Sequence, residues 1–281
     1  LALLAVGALT WFALVWWVTE TTGSATILAT ASLVAMLPEV LLGPFAGALV
    51  DRWNRRRVMV VADTVVALAS AWLAWLLSQG SLEIWHIYVA LVIRSLGGSF
   101  HWPAMTASTS MMVPKEHLAR VSGANQAIRG VVQVAAPPLG ALLLSLLPLH
   151  SIMLIDVATA ALAITPLLLV AIPQPKTTVS DDSDGLVRAV WRDVRAGVAY
   201  VRAWRSLGAM ILLATAVNLL LGPAFSLLPL LVTDHFGGGA TELAGVQSAF
   251  GFGIVAGGLL LSVWGGFRKR VHTVVAGIVG T

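Results

Sequence analysis

Two charged side chains lie deep inside long apolar runs, where a charge is costly unless it is paired. Arg94 comes ten residues into the run from 84 to 111, and Glu39 comes 13 residues after Thr26 in the run from 26 to 50. Because their depths are similar, the pattern predicts an ion pair between them. A proton or substrate that neutralises Glu39 would then release Arg94 and couple the two events. The alternative is a static ion pair that only holds helices together.

Other polar side chains in the apolar runs could line a cavity or form ordinary interhelical hydrogen bonds. Asp63 and Asp156 each come about five residues after the start of a run, so we expect hydrated or helix-capping carboxylates with a structural role. Arg129, about seven residues into its run, is expected to snorkel to the cytoplasmic face. The residues predicted to line a cavity are His101, Trp102, Asn125 and Gln126.

The chain has few residues of the kinds that enzymes and metal sites use. It contains no Cys, and its 6 His residues show no metal-ligand spacing, so neither a metal site nor a cofactor is predicted. P-loop, H-E-x-x-H and G-x-S-x-G motifs do not occur, which argues against ATP hydrolysis and the common hydrolase chemistries. We therefore do not expect an enzyme.

The elements that must position these residues are long apolar segments. Of the 281 residues, 58% are hydrophobic and only 11% are charged, and the mean hydropathy is +0.89. A helix that crosses a bilayer needs about 20 apolar residues, and no period-two alternation suggests a barrel. We predict an all-α membrane protein with about eight complete transmembrane helices and part of a ninth from about 272: 1–19, 26–50, 58–78, 84–111, 122–147, 151–172, 207–232 and 242–264.

The basic residues predict the orientation of these helices. Of the 17 Lys and Arg residues, 15 fall in one alternating set of loops, and the other loops contain none. Because basic loops stay in the cytoplasm, the N-terminus is predicted to be cytoplasmic. The cations are divided among short loops, so the formal charge of +4 does not indicate a nucleic-acid partner.

One long polar stretch, 173–206, divides the chain into a six-helix bundle at 1–172 and a truncated bundle at 207–281. The second half of the stretch is amphipathic, with Val190, Trp191 and Val194 on one face. We expect this helix to lie along the anionic cytoplasmic leaflet; a solvated linker helix is the alternative. Short motifs recur in the same order in both parts, as expected for parallel transporter halves.

The loop between the second and third runs carries a signature. From Gly47 it reads G-A-L-V-D-R-W-N-R-R-R, which resembles the G-x-L-x-D-R-x-G-R-[RK] motif of the major facilitator superfamily. Asn54 replaces a glycine, and its tolerance of left-handed backbone is a sufficient explanation. Simple topological anchoring would explain the arginines but not Asp51. We predict a conformational latch at the cytoplasmic side that consists of Gly47, Asp51, Arg52, Arg55 and Arg56.

The fourth and fifth runs add two weaker likenesses to the same family. Arg94 with the following glycines resembles the family's R-x-x-x-G segment. The stretch from 135 to 141, A-A-P-P-L-G-A, resembles the G-P-x-x-G-G element of its drug:proton antiporter branch, although Ala136 and Ala141 replace glycines. Small residues and prolines give a bent, closely packed helix, and here they are Gly130, Pro137, Pro138 and Gly140.

The resemblance implies a two-bundle fold and a monomeric secondary transporter of the bacterial inner membrane. Family members usually have twelve spans, and this sequence starts at Leu1 and stops inside an apolar run, so a fragment is expected. The antiporter-like element favours proton-driven efflux of small apolar compounds, of the drug or macrolide type, by alternating access. The partners would be the substrate, protons and the lipid bilayer. A siderophore exporter, an uptake symporter of the same fold and a non-transporting membrane scaffold remain alternatives.

Overall fold

The structure is a computed structural model that describes residues 2–169, 172, 174 and 185–264. This part of the chain is almost entirely helical and has no strand, which confirms the all-α prediction. Its long helices are α1 (Ala2–Thr22), α2 (Ala25–Val50), α3 (Arg55–Ser78), α4 (Ile84–Met112), α5 (Leu118–Leu146), α6 (Leu149–Leu169), α7 (Gly185–Ala203), α8 (Arg205–Leu230) and α9 (Ala240–Trp264). Within the described residues, the segments long and apolar enough to cross a bilayer are Ala25–Gly43, Arg55–Ser78, Lys115–Leu146, Leu149–Leu169 and Arg205–His235.

Short polar turns begin the second and third helices. The Ser24 side chain accepts a hydrogen bond from the backbone N–H of Ile27 and caps α2. Asn54 caps α3 in the same way, since its Oδ1 accepts from the N–H of Arg57 at 3.1 Å. Its φ of −66° is not left-handed. The sequence-based reason for Asn54 was therefore wrong, because the residue acts as an N-cap.

The first six helices pack closely around α3 and α4. Extensive contacts join α3 to α6, α3 to α4 and α2 to α4, and α1 lies against α5 and α6. Their interface contains buried residues of four helices, among them Leu14, Leu73, Ala90 and Met153. The chain thus places the middle of α4, with its polar residues, next to three other helices.

The last helices lie against the first six in two places. α9 packs along α5, and α8 contacts α2 and α1. α7 confirms the predicted helix in the second half of the polar stretch; its Val190 is buried, and its Trp191 stacks on Phe45 of α2 with ring centroids 6.0 Å apart. The predicted ninth run, the triplet from Arg268 to Arg270 and the acidic residues of 181–184 lie outside the described residues.

Candidate functional site

Arg94 belongs to a network of three side chains, in which Ser70 and Asp156 are buried and Arg94 is partly buried. Its Nη1 donates hydrogen bonds to Asp156 Oδ2 at 2.7 Å and to Ser70 Oγ at 3.0 Å. The Ser70 hydroxyl itself donates to the same carboxylate oxygen at 2.7 Å. The side chains of Arg94 and Asp156 are 16% and 3% exposed. Charge-assisted bonds of this length are strong where water is excluded, so the network joins α3, α4 and α6 firmly.

The partner of Arg94 is therefore Asp156 and not Glu39, which corrects the pairing predicted from the sequence. Glu39 is exposed, and no ion pair of its carboxylate is found among the described residues. The expectation of a hydrated Asp156 was also wrong, because α6 begins at Leu149 and the carboxylate is buried. Arg94 lies ten residues into α4 and Asp156 seven residues into α6. That offset of about 4.5 Å along the helix axes is within the reach of an arginine.

A second polar contact links α3 and α4. His101 Nε2 lies 3.4 Å from Asp63 Oδ1, and the two side chains are 23% and 7% exposed. The other carboxylate oxygen of Asp63 is buried without a hydrogen-bond partner. Asp63 was expected to be hydrated, and that was wrong as well. His101 was predicted as a cavity residue, but its titratable partner was missed.

The two contacts have the same spacing on both helices. Ser70 follows Asp63 by seven residues on α3, and His101 follows Arg94 by seven residues on α4. Seven residues are about two helical turns, so two antiparallel helices meet twice on one face. Between these contacts a Cβ on Gly97 would lie 2.6 Å from Val66 Cγ2 and 3.4 Å from the carbonyl oxygen of Ala62. A glycine at this position lets the two helices come close enough for both contacts.

A polar cavity of about 410 Å³ opens beside Arg94. The Arg129 guanidinium lies over the Trp102 ring, 3.3 Å from its centroid, and its Nη2 is buried without a hydrogen-bond partner. Arg129 therefore stacks on an aromatic face, and the prediction that it snorkels to the cytoplasm was wrong. Of the residues predicted to line a cavity, Trp102 lines this one, whereas His101, Asn125 and Gln126 do not. The residues that do include Trp11, Glu39, Arg94, Trp102 and Arg129.

A second cavity of about 280 Å³ is mainly apolar. It lies between the first helices and α8 and α9, with walls that include Met36, Leu91, Phe225 and Gln247. Trp11 lines both cavities. A tryptophan between a polar and an apolar space can contact a molecule that carries both kinds of group.

The signature loop is held by side-chain contacts at the ends of several helices. Arg55 Nη2 lies 3.2 Å from Asp51 Oδ1, and Asp51 is 71% exposed. The buried Arg55 also donates to the carbonyl oxygen of Ala107 in α4, and Arg56 donates to that of Leu168 in α6. These contacts lie within α2 to α6. They explain why Asp51 occurs among arginines, whereas a latch between two halves stays a prediction.

The paired prolines of α5 leave two backbone carbonyl groups without a partner in their own helix, and both groups contact α9. Pro138 has no N–H, so the carbonyl oxygen of Val134, four residues earlier, has no partner within the helix. Ser248 of α9 donates to this oxygen at 2.9 Å. Gly251 of α9 packs on the carbonyl of Gln133, which Pro137 frees in the same way. The prolines thus provide contacts between helices rather than only a bend.

The glycines of the same element mark close approaches on two sides of α5. A Cβ on Gly130 would lie 2.9 Å from Val255 of α9, and one on Gly140 would lie 2.8 Å from Phe12 of α1. These four residues, Gly130, Pro137, Pro138 and Gly140, were predicted from sequence as a closely packed element. The structure brings their segment between α1 and α9.

Comparisons with known proteins were made on the whole chain. A family model described as Major Facilitator Superfamily matches residues 1–281. The chain is 34% identical over 275 residues to Macrolide efflux protein A of Streptococcus pyogenes, which is 98% of this chain and 67% of that protein. It is 34% identical to the protein of the same name from Enterococcus faecalis, covering 91% of this chain and 78% of that one. It is 28% identical to the Multidrug efflux pump Tap of Mycobacterium bovis, over 78% of this chain and 53% of that pump.

Proposed function

The chain belongs to the major facilitator superfamily, and from this premise we propose that it exports small, largely apolar compounds of the macrolide or drug type in exchange for protons. It is a multi-pass membrane transporter and not an enzyme. One observation carries the choice of substrate class: 34% identity over 98% of the chain to a macrolide efflux protein.

The two adjacent cavities support this choice. A macrolide or similar drug has a large apolar body and a few polar groups, and the apolar cavity of about 280 Å³ adjoins the polar one through Trp11. Glu39 and Arg94 both line the polar cavity, which supports their assignment to the transport path. Because Arg94 is bound to Asp156, release of Arg94 by protonation of Glu39 is no longer part of the mechanism.

Alternating access needs contacts that change between states, and two regions of the chain suit this role. The signature residues Gly47, Asp51, Arg52, Arg55 and Arg56 act as a cytoplasmic latch, supported by the Asp51–Arg55 ion pair at an exposed helix end. The α5–α9 contact acts as the packed surface over which the halves rock. Small residues and the side-chain hydrogen bond from Ser248 there allow movement with little loss of contact energy.

The orientation and organisation of the chain complete the proposal. The N-terminus is cytoplasmic, and the protein acts as a monomer in the bacterial inner membrane. A six-helix half at 1–172 and a second half from 207 are joined by 173–206, where α7 runs along the cytoplasmic leaflet. The amphipathic sequence of α7 supports this position.

Reconstitution of the full-length protein in liposomes tests the proposal. We expect radiolabelled erythromycin to accumulate in proteoliposomes when an acidic interior is imposed, and to leak out when nigericin collapses the pH gradient. Empty liposomes treated in the same way are the control for passive trapping of the weak base. Accumulation no greater than in empty liposomes, for erythromycin and for a panel of hydrophobic drugs, would contradict the proposal.

A further inference from the structure

We propose that the Asp63–His101 pair is the site that binds and releases the exchanged proton. The inference rests on the proposed proton-coupled export and assigns a location to its proton. Of the polar contacts between α3 and α4, this one contains a residue whose charge changes in the physiological pH range. The site lies two helical turns from Arg94, toward the cytoplasmic end of α4.

The surroundings of Asp63 make its charge depend on a proton. The carboxylate is buried, its Oδ1 faces an imidazole nitrogen at 3.4 Å, and its Oδ2 has no hydrogen-bond partner. A buried carboxylate without a compensating charge is strongly disfavoured. The pair is electrically neutral when the two groups hold one proton between them, either as a carboxylate with an imidazolium or as a carboxylic acid with a neutral imidazole. It therefore retains one proton in this packing and carries a net negative charge after the proton leaves.

The neighbouring network around Arg94 differs in this respect. A guanidinium does not lose its proton in proteins, and the charge of Asp156 is balanced by Arg94 with Ser70 as a third partner. Protonation of Asp156 would leave the buried Arg94 without its counter-charge. We infer that this network keeps the same charge throughout the cycle and that the proton moves elsewhere.

The other charged groups around the pair allow such a change. Glu39 of α2 lies in the polar cavity, and Arg129 of α5 lies over the ring of Trp102, the residue that follows His101. Arg94 on α4 is committed to Asp156 of α6. Toward the cytoplasmic end, Arg55 of α3 donates to α4 and pairs with Asp51. In the ion pairs found among the described residues, Asp51 and Asp156 have arginine partners, whereas Asp63 has His101.

The proton step involves no other reactant. A proton from water on the outer side adds to the imidazole nitrogen or to the carboxylate oxygen, forming one N–H or O–H bond. The same bond breaks when the proton passes to water on the inner side. His101 is 23% exposed, so it can exchange with water while Asp63 stays buried. Loss of the proton leaves an uncompensated carboxylate, which favours a different packing of α3 against α4 near Gly97.

Two measurements on the reconstituted full-length protein separate coupling from folding. The first is accumulation of radiolabelled erythromycin driven by an acidic interior. The second is exchange of labelled for unlabelled erythromycin without a pH gradient, which requires a folded, alternating transporter. Each of the two substitutions, His101→Gln and Asp63→Asn, keeps size and hydrogen bonding but removes one of the two groups that hold the proton and so breaks the pair. We expect accumulation to fall at least tenfold and exchange to stay within about twofold of the native rate.

His117→Gln is the matched control, because His117 lies exposed in the loop before α5 and should change neither measurement. Native accumulation by His101→Gln with the native pH dependence would overturn the inference. Absence of gradient-driven accumulation by the native protein, with exchange intact, would instead refute proton coupling itself. Both outcomes are distinguishable because exchange is measured in every sample.

A direct titration applies if these variants do not fold. With the remaining histidines replaced by glutamine, the imidazole signals in a nitrogen-15 NMR spectrum of the protein come from the two ring nitrogens of His101. We expect these signals to report gain and loss of a proton as the pH is varied, and this dependence on pH to change when erythromycin is added. Signals that do not change with pH, with or without erythromycin, would overturn the inference.

Discussion

The polar contacts around Arg94 and around Asp63, both of which join α3 to α4, differ in what their charges depend on. The contact around Arg94 joins three side chains, Arg94, Ser70 and Asp156, by hydrogen bonds of 2.7 to 3.0 Å. It contains one positive and one negative charge, which balance each other. The contact between Asp63 and His101 has two partners, a longer distance of 3.4 Å and one carboxylate oxygen without a partner. The same two helices thus form one fully satisfied contact and one incompletely satisfied contact.

This difference suggests a division of roles. A completely bonded buried pair stabilises one arrangement of helices, and removing one partner leaves a charge in an apolar interior. An incompletely bonded pair has a smaller preference for the packing in which it is found. A transporter needs a stable bundle and a switchable contact, and here they occur on the same helix pair, two turns apart.

The largest effect is expected when the permanent pair loses one partner. Asp156→Ala leaves Arg94 buried without a counter-charge, and we expect a loss of about 3 to 5 kcal/mol of stability. Thermal unfolding in detergent, followed by size-exclusion fluorescence, measures it. The double variant Arg94→Met, Asp156→Leu removes both charges and should recover much of the loss. An unchanged midpoint in Asp156→Ala would contradict the structural role of this pair.

A smaller effect is expected at the close approach between the two contacts. Gly97→Ala places a Cβ 2.6 Å from Val66 Cγ2, and we expect a loss of about 1 to 3 kcal/mol from overpacking. Because the nearest atom belongs to a side chain, adding Val66→Ala should restore most of the stability. The same detergent assay tests both variants. If adding Val66→Ala does not restore the stability lost in Gly97→Ala, the Ala62 backbone and not the Val66 side chain limits how closely α3 and α4 can pack.

Replacement in the titratable pair is expected to change stability less. Asp63→Asn removes a buried carboxylate and keeps an amide near His101, so we expect a change of at most about 1 kcal/mol at neutral pH. The unfolding midpoint of the native protein should depend on pH more strongly than that of the variant. A loss as large as that of Asp156→Ala would show that the two contacts do not differ as proposed.

A similarly small effect is expected at a neutral contact between α5 and α9. Ser248→Ala removes the hydrogen bond to the carbonyl oxygen freed by Pro138, a loss of about 1 kcal/mol. It gives a reference for one uncharged hydrogen bond between helices. We expect a small decrease in the unfolding midpoint and a measurable change in the erythromycin exchange rate. Ser145→Ala is a control, since the Ser145 hydroxyl bonds only within its own helix at 2.7 Å to Leu142.

Much of the fold could be predicted because its determinants are local along the chain. Long apolar runs have to become helices in a bilayer, and the observed helix ends agree with the predicted runs to within a few residues at most positions. The signature near Asp51 and the proline element of α5 could be recognised from their order and spacing. Asn54 was recognised in the right place for the wrong reason, because an N-cap depends on backbone geometry rather than residue tolerance.

The candidate site was predicted only in part. Arg94, Glu39, His101 and Trp102 were identified from their residue types inside apolar runs. Asp156 and Asp63 were underestimated, because counting from the end of a run placed them near the surface. As whole residues Asp156 and Asp63 are only 2% and 6% exposed, because neighbouring helices that the count ignores cover them. A seven-residue spacing of polar residues on two adjacent helices was the signal that could have found Asp63, whereas Asp156 lies on a third helix outside this spacing.

The amino-acid sequence by itself determined the family, the helical class and which residues carry charge into the apolar interior. Only the tertiary structure decided that Arg94 pairs with Asp156, 62 positions away, and that Glu39 faces a cavity. Hydropathy reports depth along one helix, and several carboxylates share similar depths. The choice among them depends on which helices are neighbours and how each is rotated about its axis, and packing sets both.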